Sequence, residues 1–320
     1  MSKLAVLGAG AWGTAIANLL ANNGHEVIIW ALEQQVVDDI NNFNENKTYL
    51  ANIQLSKNIK AVNDLSDIRD IKAIFSVVPA QYNAGVFSQL KKLAHIKNDT
   101  PIIICSKGID NEKLKLLSDI VLEFFSNPIC AMCGPNFADE IAQGLPAITT
   151  IASKNILQAK FVATLVKNKN FRPFICEDII GAEIAGSIKN VIAIAMGIAV
   201  GMNLSESSKA SILTKGLNEI GMLSKALGGR KRTAIEPCGV GDLVLTCSSQ
   251  KSRNMSLGFA IGKGELLDDI LKHRNTVAEG VATSKAAYNL GKKYNLNLEI
   301  INLIYEVLYN GKKITVSDFF

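Results

Sequence analysis

Gly8-Ala-Gly10-Ala11-Trp12-Gly13 follows a short apolar run, Lys3 to Leu7, and opens a helical pattern. A first glycine permits the tight turn, a second lets the backbone approach a pyrophosphate, and a third lets the helix pack closely on the strand. The free N–H groups and partial positive charge of the helix N-terminus then face the phosphates. This reading makes Gly8, Gly10, Ala11, Trp12 and Gly13 a dinucleotide cradle. Glu33 lies twenty residues after Gly13. A carboxylate there can accept from a ribose 2′-hydroxyl and repels a 2′-phosphate, which favours NAD over NADP. It can equally begin a solvated helix over 33–42.

Other segments carry polar groups where ligands gather. Ser106-Lys107-Gly108 and Gly134-Pro-Asn136-Phe-Ala138 each follow an apolar, strand-like run. Open parallel sheets place ligands at that edge, although as isolated segments neither exceeds an ordinary loop. Lys189 sits in Ala185-Gly-Ser-Ile-Lys189-Asn-Val-Ile-Ala193. Burial of such a lysine lowers its pKa and suits it to proton transfer near neutrality. The alternative is a snorkelling lysine with its head in water. Asp242 and Thr246 are four apart and share a face if their segment is helical. Ser252-Arg253-Asn254 combines a guanidinium fork suited to phosphate with two neutral polar groups. Val277-Ala-Glu279-Gly280 sets a carboxylate in apolar surroundings.

The elements that position these residues change character along the chain. Strands are expected at Lys3–Leu7, Glu26–Trp30, Ala73–Val78, Pro101–Cys105, Ile129–Met132 and Thr149–Ala152. Helices are expected at Thr14–Asn23, Val36–Asn42, Gln81–Lys92 and Lys113–Phe125, while residues 49–62 are irregular. Strands that are apolar throughout and alternate with helices give a mostly parallel sheet covered on both faces. From Ala182 to Leu227 the pattern is helical, as it is at Glu265–His273, Thr283–Tyr294 and Glu299–Tyr309. Two domains are therefore expected, a dinucleotide-binding domain over 1–180 and a helical substrate and catalytic domain over 181–320.

Bulk properties exclude several classes. Hydrophobic residues make up 48% and charged residues 20%, a globular balance. The net charge of +5 suits an anionic ligand without implying nucleic acid. The densest basic spot, Gly229-Arg230-Lys231-Arg232, reads as a solvated turn. The longest apolar run, Val191 to Val200 and on to Met202, is short of the roughly 20 residues needed to span a bilayer and reads as a buried helix. No secretory signal is seen, and the six cysteines are expected to be reduced, which points to the cytoplasm. Cys130-Ala-Met-Cys133 has metal-ligand spacing, but no second pair completes a site, so no metal is expected and both sulfurs are read as core residues.

The order and separation of Gly134-Pro-Asn-Phe-Ala138, Lys189-Asn190, Gly241-Asp242 to Cys247 and Ser252-Arg253-Asn254 resemble the bacterial NAD(P)-dependent glycerol-3-phosphate dehydrogenase family, over essentially the whole chain. The resemblance implies a Rossmann-type N-terminal domain and an all-helical C-terminal domain. It implies hydride transfer between the nicotinamide and glycerol 3-phosphate or dihydroxyacetone phosphate, supplying glycerol 3-phosphate for phospholipid synthesis. It places Trp12 by the pyrophosphate, Lys107 on both cofactor and substrate, Gly134 and Asn136 on the substrate, and Ala138 on the cofactor. Lys189 would be the proton acceptor, held by Asp242, with Thr246 beside the substrate. Ser252, Arg253 and Asn254 would hold the substrate phosphate, with Arg253 also reaching the cofactor, and Val277 and Glu279 would contact the nicotinamide half. Two positions depart from the family. Leu32 and Glu33 stand where a basic residue often favours NADP, and Asn136 stands where many members carry Ser or Thr. The expected partner is a small phosphorylated molecule, with no nucleic acid and no membrane span; a homodimer is compatible with it. Competing readings are a β-hydroxy-acid dehydrogenase, which does not call for Ser252-Arg253-Asn254, and a non-catalytic NAD(H) sensor, which leaves Lys107, Lys189 and Asp242 without a use.

Overall fold

Residues 2–272 and 278–320 are described by a computed structural model of the chain. They form two compact units, residues 1–106 with 117–179, and residues 107–116 with 180–320. The short stretch 107–116, which carries Lys107, thus belongs with the helical unit.

The first unit is built on one eight-stranded sheet. Its strands are β1 (Lys3–Leu7), β2 (Glu26–Trp30), β3 (Ile59–Val62), β4 (Ile74–Ser76), β5 (Ile102–Ile104), β6 (Ile129–Cys133), β7 (Ala147–Ala152) and β8 (Phe171–Cys176). The spatial order is β3-β2-β1-β4-β5-β6-β7-β8, parallel throughout except between β6 and β7. Helices α1 (Ala11–Asn22), α2 (Gln34–Phe43), α3 (Asn83–Leu93), α4 (Leu117–Leu122), α5 (Ala138–Ala142) and α6 (Ile156–Val166) complete the unit. Two apolar clusters form its core, one including Leu4, Val6 and Phe75, the other Ala5, Leu7 and Ile74. Alternate residues of the same strands enter different clusters, as expected for strands buried on both faces. The strand order reverses between β1 and β4, and ligands of such sheets bind at the carboxyl ends of the strands there.

Three local readings of the sequence are corrected. The helix expected over Lys113–Phe125 is confined to Leu117–Leu122. The Asp110 carboxylate instead accepts from the backbone N–H of Glu112 (3.1 Å) and Lys113 (2.7 Å), and Leu114 is left-handed at φ 52°. Such side-chain acceptance competes with the helix ladder. Strand β3 lies inside the stretch read as irregular, because only its four residues are strand-like. Strand β8 was not anticipated: Pro173 interrupts its pattern, which an edge strand tolerates.

The second unit contains, among the described residues, helices and no ladder strand. These are α7 (Ile179–Gly201), α8 (Glu206–Ala226), α9 (Asp242–Ser248), α10 (Arg253–Gly262), α11 (Leu267–Lys272), α12 (Glu279–Lys293) and α13 (Glu299–Tyr309). At 23 residues, α7 exceeds the apolar run read from the sequence and is long and apolar enough to cross a membrane. Its apolar window is 94% buried inside the protein, so it serves as a core helix here. Close approach of α7 and α10 depends on glycine. A Cβ on Gly258 would lie 2.0 Å from the Ile194 carbonyl oxygen, and one on Gly197 would lie 2.1 Å from that of Met255. Backbone therefore rests on backbone, which only a missing side chain allows. Residues Pro237–Gly241 form a π-helical turn leading directly into Asp242, a distortion that often accompanies functional positions.

Candidate active site

In the first unit the glycine turn joins β1 to α1. Gly8 adopts φ 102°, and a Cβ there would meet the Val77 backbone at 3.1 Å, just beyond β4. At Gly13 a Cβ would lie 1.9 Å from the Gly8 carbonyl oxygen, so this third glycine sets the closeness of helix to turn. At Gly10 a Cβ would meet nothing within 4 Å. Its absence is not required by the protein's own packing and leaves the backbone open to a ligand. Trp12 packs against the core, and its buried indole Nε1 has no hydrogen-bond partner. An unpartnered buried N–H beside a helix N-terminus fits a phosphate or ribose acceptor. Helices α1 and α5 pack together, with Asn18 Nδ2 donating to the Ala142 carbonyl at 3.4 Å, and Ala138 opens α5.

Gly134 and Asn136 form the turn after β6. A Cβ on Gly134 would lie 2.9 Å from the Thr149 Cα, so the turn lies directly on β7. Asn136 Nδ2 donates to the carbonyls of Pro135 (2.9 Å) and Ile148 (3.0 Å), leaving its buried Oδ1 without a partner. A fixed, unpaired acceptor of this kind suits a ligand hydroxyl or amide. Glu33 is exposed at the N-cap of α2, and the Tyr49 hydroxyl donates to its Oε1 at 3.0 Å. The carboxylate is thus held just beyond β2, and it raises the Tyr49 pKa. These features fit a dinucleotide.

In the second unit, four residues expected to do chemistry meet directly. Lys189 on α7 donates from Nζ to Asp242 Oδ1 and to Thr246 Oγ1, both at 2.7 Å. Lys107 donates to the other carboxylate oxygen, Asp242 Oδ2, at 2.6 Å. The Thr246 hydroxyl donates to the Asp242 carbonyl at 2.6 Å, which fixes it as an acceptor toward Lys189. Lys189, Asp242 and Thr246 are all buried; Lys107 is less so. Snorkelling is therefore ruled out for Lys189. Burial is the main cause that pulls its pKa down, to about 8; Asp242 opposes this and Lys107 adds to it. The two lysines share one carboxylate, so loss of a proton from Lys189 leaves a neutral Lys107–Asp242 pair.

The Ser252-Arg253-Asn254 segment opens α10. Ser252 caps the helix by accepting from Met255 N–H at 3.3 Å, and Arg253 is exposed in the first turn. Asn254 is tied at both ends of its amide. It donates to Asn190 Oδ1 at 3.0 Å and accepts from Gly280 N–H at 2.9 Å. It thus links α7, α10 and the start of α12, where Glu279 is the first residue. Asn190 is the residue that sequence reasoning did not place in the site. Its signal was a second polar side chain beside Lys189 in an otherwise apolar helix. Val277 lies outside the described residues.

Cysteine plays no part in this chemistry. All six cysteines are buried and none is in a disulfide. Burial pushes Cys130 up to about 11 and Cys247 up to about 12, so both remain protonated and unreactive. Among the described residues no group of three or more His, Cys, Asp or Glu side chains could hold a metal.

A doubly wound sheet with a glycine turn at its switch point, and a helical unit with a buried lysine whose pKa is drawn down, are the features of a dinucleotide-dependent oxidoreductase. Residues 3–159 match the N-terminal part, and residues 178–317 the C-terminal part, of the NAD-dependent glycerol-3-phosphate dehydrogenase family. The chain belongs to that family. It is 38% identical over 313 residues to glycerol-3-phosphate dehydrogenase [NAD(P)+] of Parvibaculum lavamentivorans, covering 98% of this chain and 93% of the relative. The Bacillus subtilis protein of the same name is 40% identical, with 99% and 93% covered. The crystal structure of glycerol-3-phosphate dehydrogenase from Coxiella burnetii superposes with a TM-score of 0.93 at 31% identity, covering 99% of this chain and 97% of that one.

Proposed function

We propose that this protein interconverts glycerol 3-phosphate and dihydroxyacetone phosphate, with Lys189 as the acid–base group. The observation that carries this assignment is the Lys189 ammonium held at 2.7 Å by both Asp242 and Thr246. These two bonds and Cε use three of the four positions around Nζ. The remaining position is an N–H in the charged state and a lone pair in the neutral state. Lys189 can therefore take the proton of the substrate's C2 hydroxyl in oxidation, or return it to that oxygen in reduction. A positioned acid–base group of this kind typically contributes ~10²–10⁴-fold in rate. When bound, the nicotinamide supplies the hydride chemistry.

The other assignments follow from side-chain chemistry. Asp242 holds both lysines and does not itself move a proton. Lys107, with its charge partly accessible, polarises the C2 oxygen. Arg253 supplies the fork for the substrate phosphate, supported by Ser252 and by Asn254, whose amide also fixes the helices around it. Gly134 and Asn136 offer polar groups to the substrate, while the family resemblance assigns Ala138, Val277 and Glu279 to the cofactor. The phosphate does not react, so its binding energy serves to align C2. Gly8, Gly10, Ala11, Trp12 and Gly13 cradle the pyrophosphate, and Glu33 favours NAD. Reduced thiols agree with a cytoplasmic setting, where the reductive direction feeds phospholipid synthesis. Light scattering of the purified chain tests whether it is a homodimer.

The test is turnover with dihydroxyacetone phosphate by the wild type and by Lys189→Ala. The assignment requires phosphate-dependent turnover that the variant loses while it still binds NADH.

A further inference from the structure

Between Ile141 and Cys176 the chain carries five basic side chains, Lys154, Lys160, Lys167, Lys169 and Arg172, and no acidic one. Five positive charges equal the formal net charge of the whole protein, +5. The stretch contributes α6 and the edge strand β8 to the first unit. Lys160 and Lys167 line a groove of about 940 Å³ together with Lys169 and Arg172, and its lining holds no carboxylate. None of these four cations has an ion-pair partner among the described residues.

The outer face of α6 continues the groove. Leu157, Lys160, Phe161, Thr164 and Lys167 recur at spacings of three and four, so they share one helix face, and all are exposed. Leu157 is 70% and Phe161 39% exposed. The opposite face, with Ala159, Val162 and Val166, is buried in the core. Here, large apolar side chains in water alternate with uncompensated cations.

We infer that this face docks on an anionic lipid bilayer. Lysine heads would lie among lipid phosphates while Leu157 and Phe161 enter the boundary below them, the arrangement of interfacial helices. A site for a small free anion needs enclosing cations, whereas these are exposed. A second copy of the chain meeting this face symmetrically would set like charges together. Peripheral docking needs no membrane span and uses none of the residues assigned to catalysis.

The test is co-sedimentation of the purified enzyme with vesicles of phosphatidylcholine alone, or of phosphatidylcholine mixed with phosphatidylglycerol. Binding is expected only to the mixed vesicles and should weaken as salt rises. The triple variant Lys160→Gln, Lys167→Gln, Lys169→Gln should bind roughly a hundredfold more weakly, from about 1 kcal/mol per lysine. Leu157→Ser with Phe161→Ser should weaken binding even at low salt. Both variants should retain wild-type turnover and melting. Failure to bind mixed vesicles, equal binding to neutral vesicles, or no loss in the triple variant would overturn the inference. So would a change of oligomeric state in the Leu157→Ser, Phe161→Ser variant, because a second copy would then cover this face.

Discussion

Lys189 and Asp242, 53 positions apart in sequence, are joined by a buried 2.7 Å ion pair whose carboxylate is simultaneously bonded to Lys107. The π-helical turn over Pro237–Gly241 delivers Asp242 to this point, and α7 delivers Lys189. Burial draws the Lys189 pKa down, the shared carboxylate holds it up, and the two short bonds to Asp242 and Thr246 fix the direction of its ammonium.

Lys189→Ala should lower turnover by ~10²-fold or more with NADH affinity nearly unchanged. Steady-state rates with fluorescence titration of NADH check both halves. Near-normal turnover would remove Lys189 from the mechanism.

The two directions should have opposite pH dependence. Oxidation of glycerol 3-phosphate requires neutral Lys189, so kcat/KM should rise with pH and level off above about 8. Reduction requires the ammonium, so kcat/KM should fall above about 8. Asp242 holds the Lys189 pKa up, so Asp242→Asn should move both inflections to lower pH. A merely structural role for Asp242 would reduce the rate and leave the inflections in place.

Arg253→Ala should mainly impair use of the phosphorylated substrate and narrow the gap between dihydroxyacetone phosphate and dihydroxyacetone. Wild-type efficiency with dihydroxyacetone phosphate in this variant would defeat the phosphate assignment.

NADH should serve at least as well as NADPH, because the Glu33 carboxylate is held in place by Tyr49. Glu33→Ala should improve relative use of NADPH by removing a repulsion. A large wild-type preference for NADPH would contradict this reading.

Glycine substitutions should separate packing from propensity. Gly85→Ala in α3 meets open space and should stabilise the protein by up to about 1 kcal/mol. Gly258→Ala would set a methyl 2.0 Å from the Ile194 carbonyl oxygen and should cost at least about 1–3 kcal/mol, lowering Tm. Equal effects in thermal melts would argue against the α7–α10 contact.

What was legible in the sequence divides by the range of the cause. Strands β1 and β2 matched at every residue, because continuous apolar runs report burial on both faces directly. Asp242 and Thr246 could be placed on one helix face by their spacing. The Lys107–Asp242 contact could not, since it joins residues 135 positions apart and no local pattern reports it. Asn254 carried a local signal for ligand binding, yet its partners Asn190 and Gly280 arise only from the packing of three helices. The close approach of α7 and α10 was equally hidden, because glycine in a helix does not announce what rests on it.

The central claim is tested most directly by NADH absorbance decay with dihydroxyacetone phosphate, run beside dihydroxyacetone. Rapid oxidation that requires the phosphate is the predicted result. NADH binding without turnover on the phosphorylated substrate would contradict it.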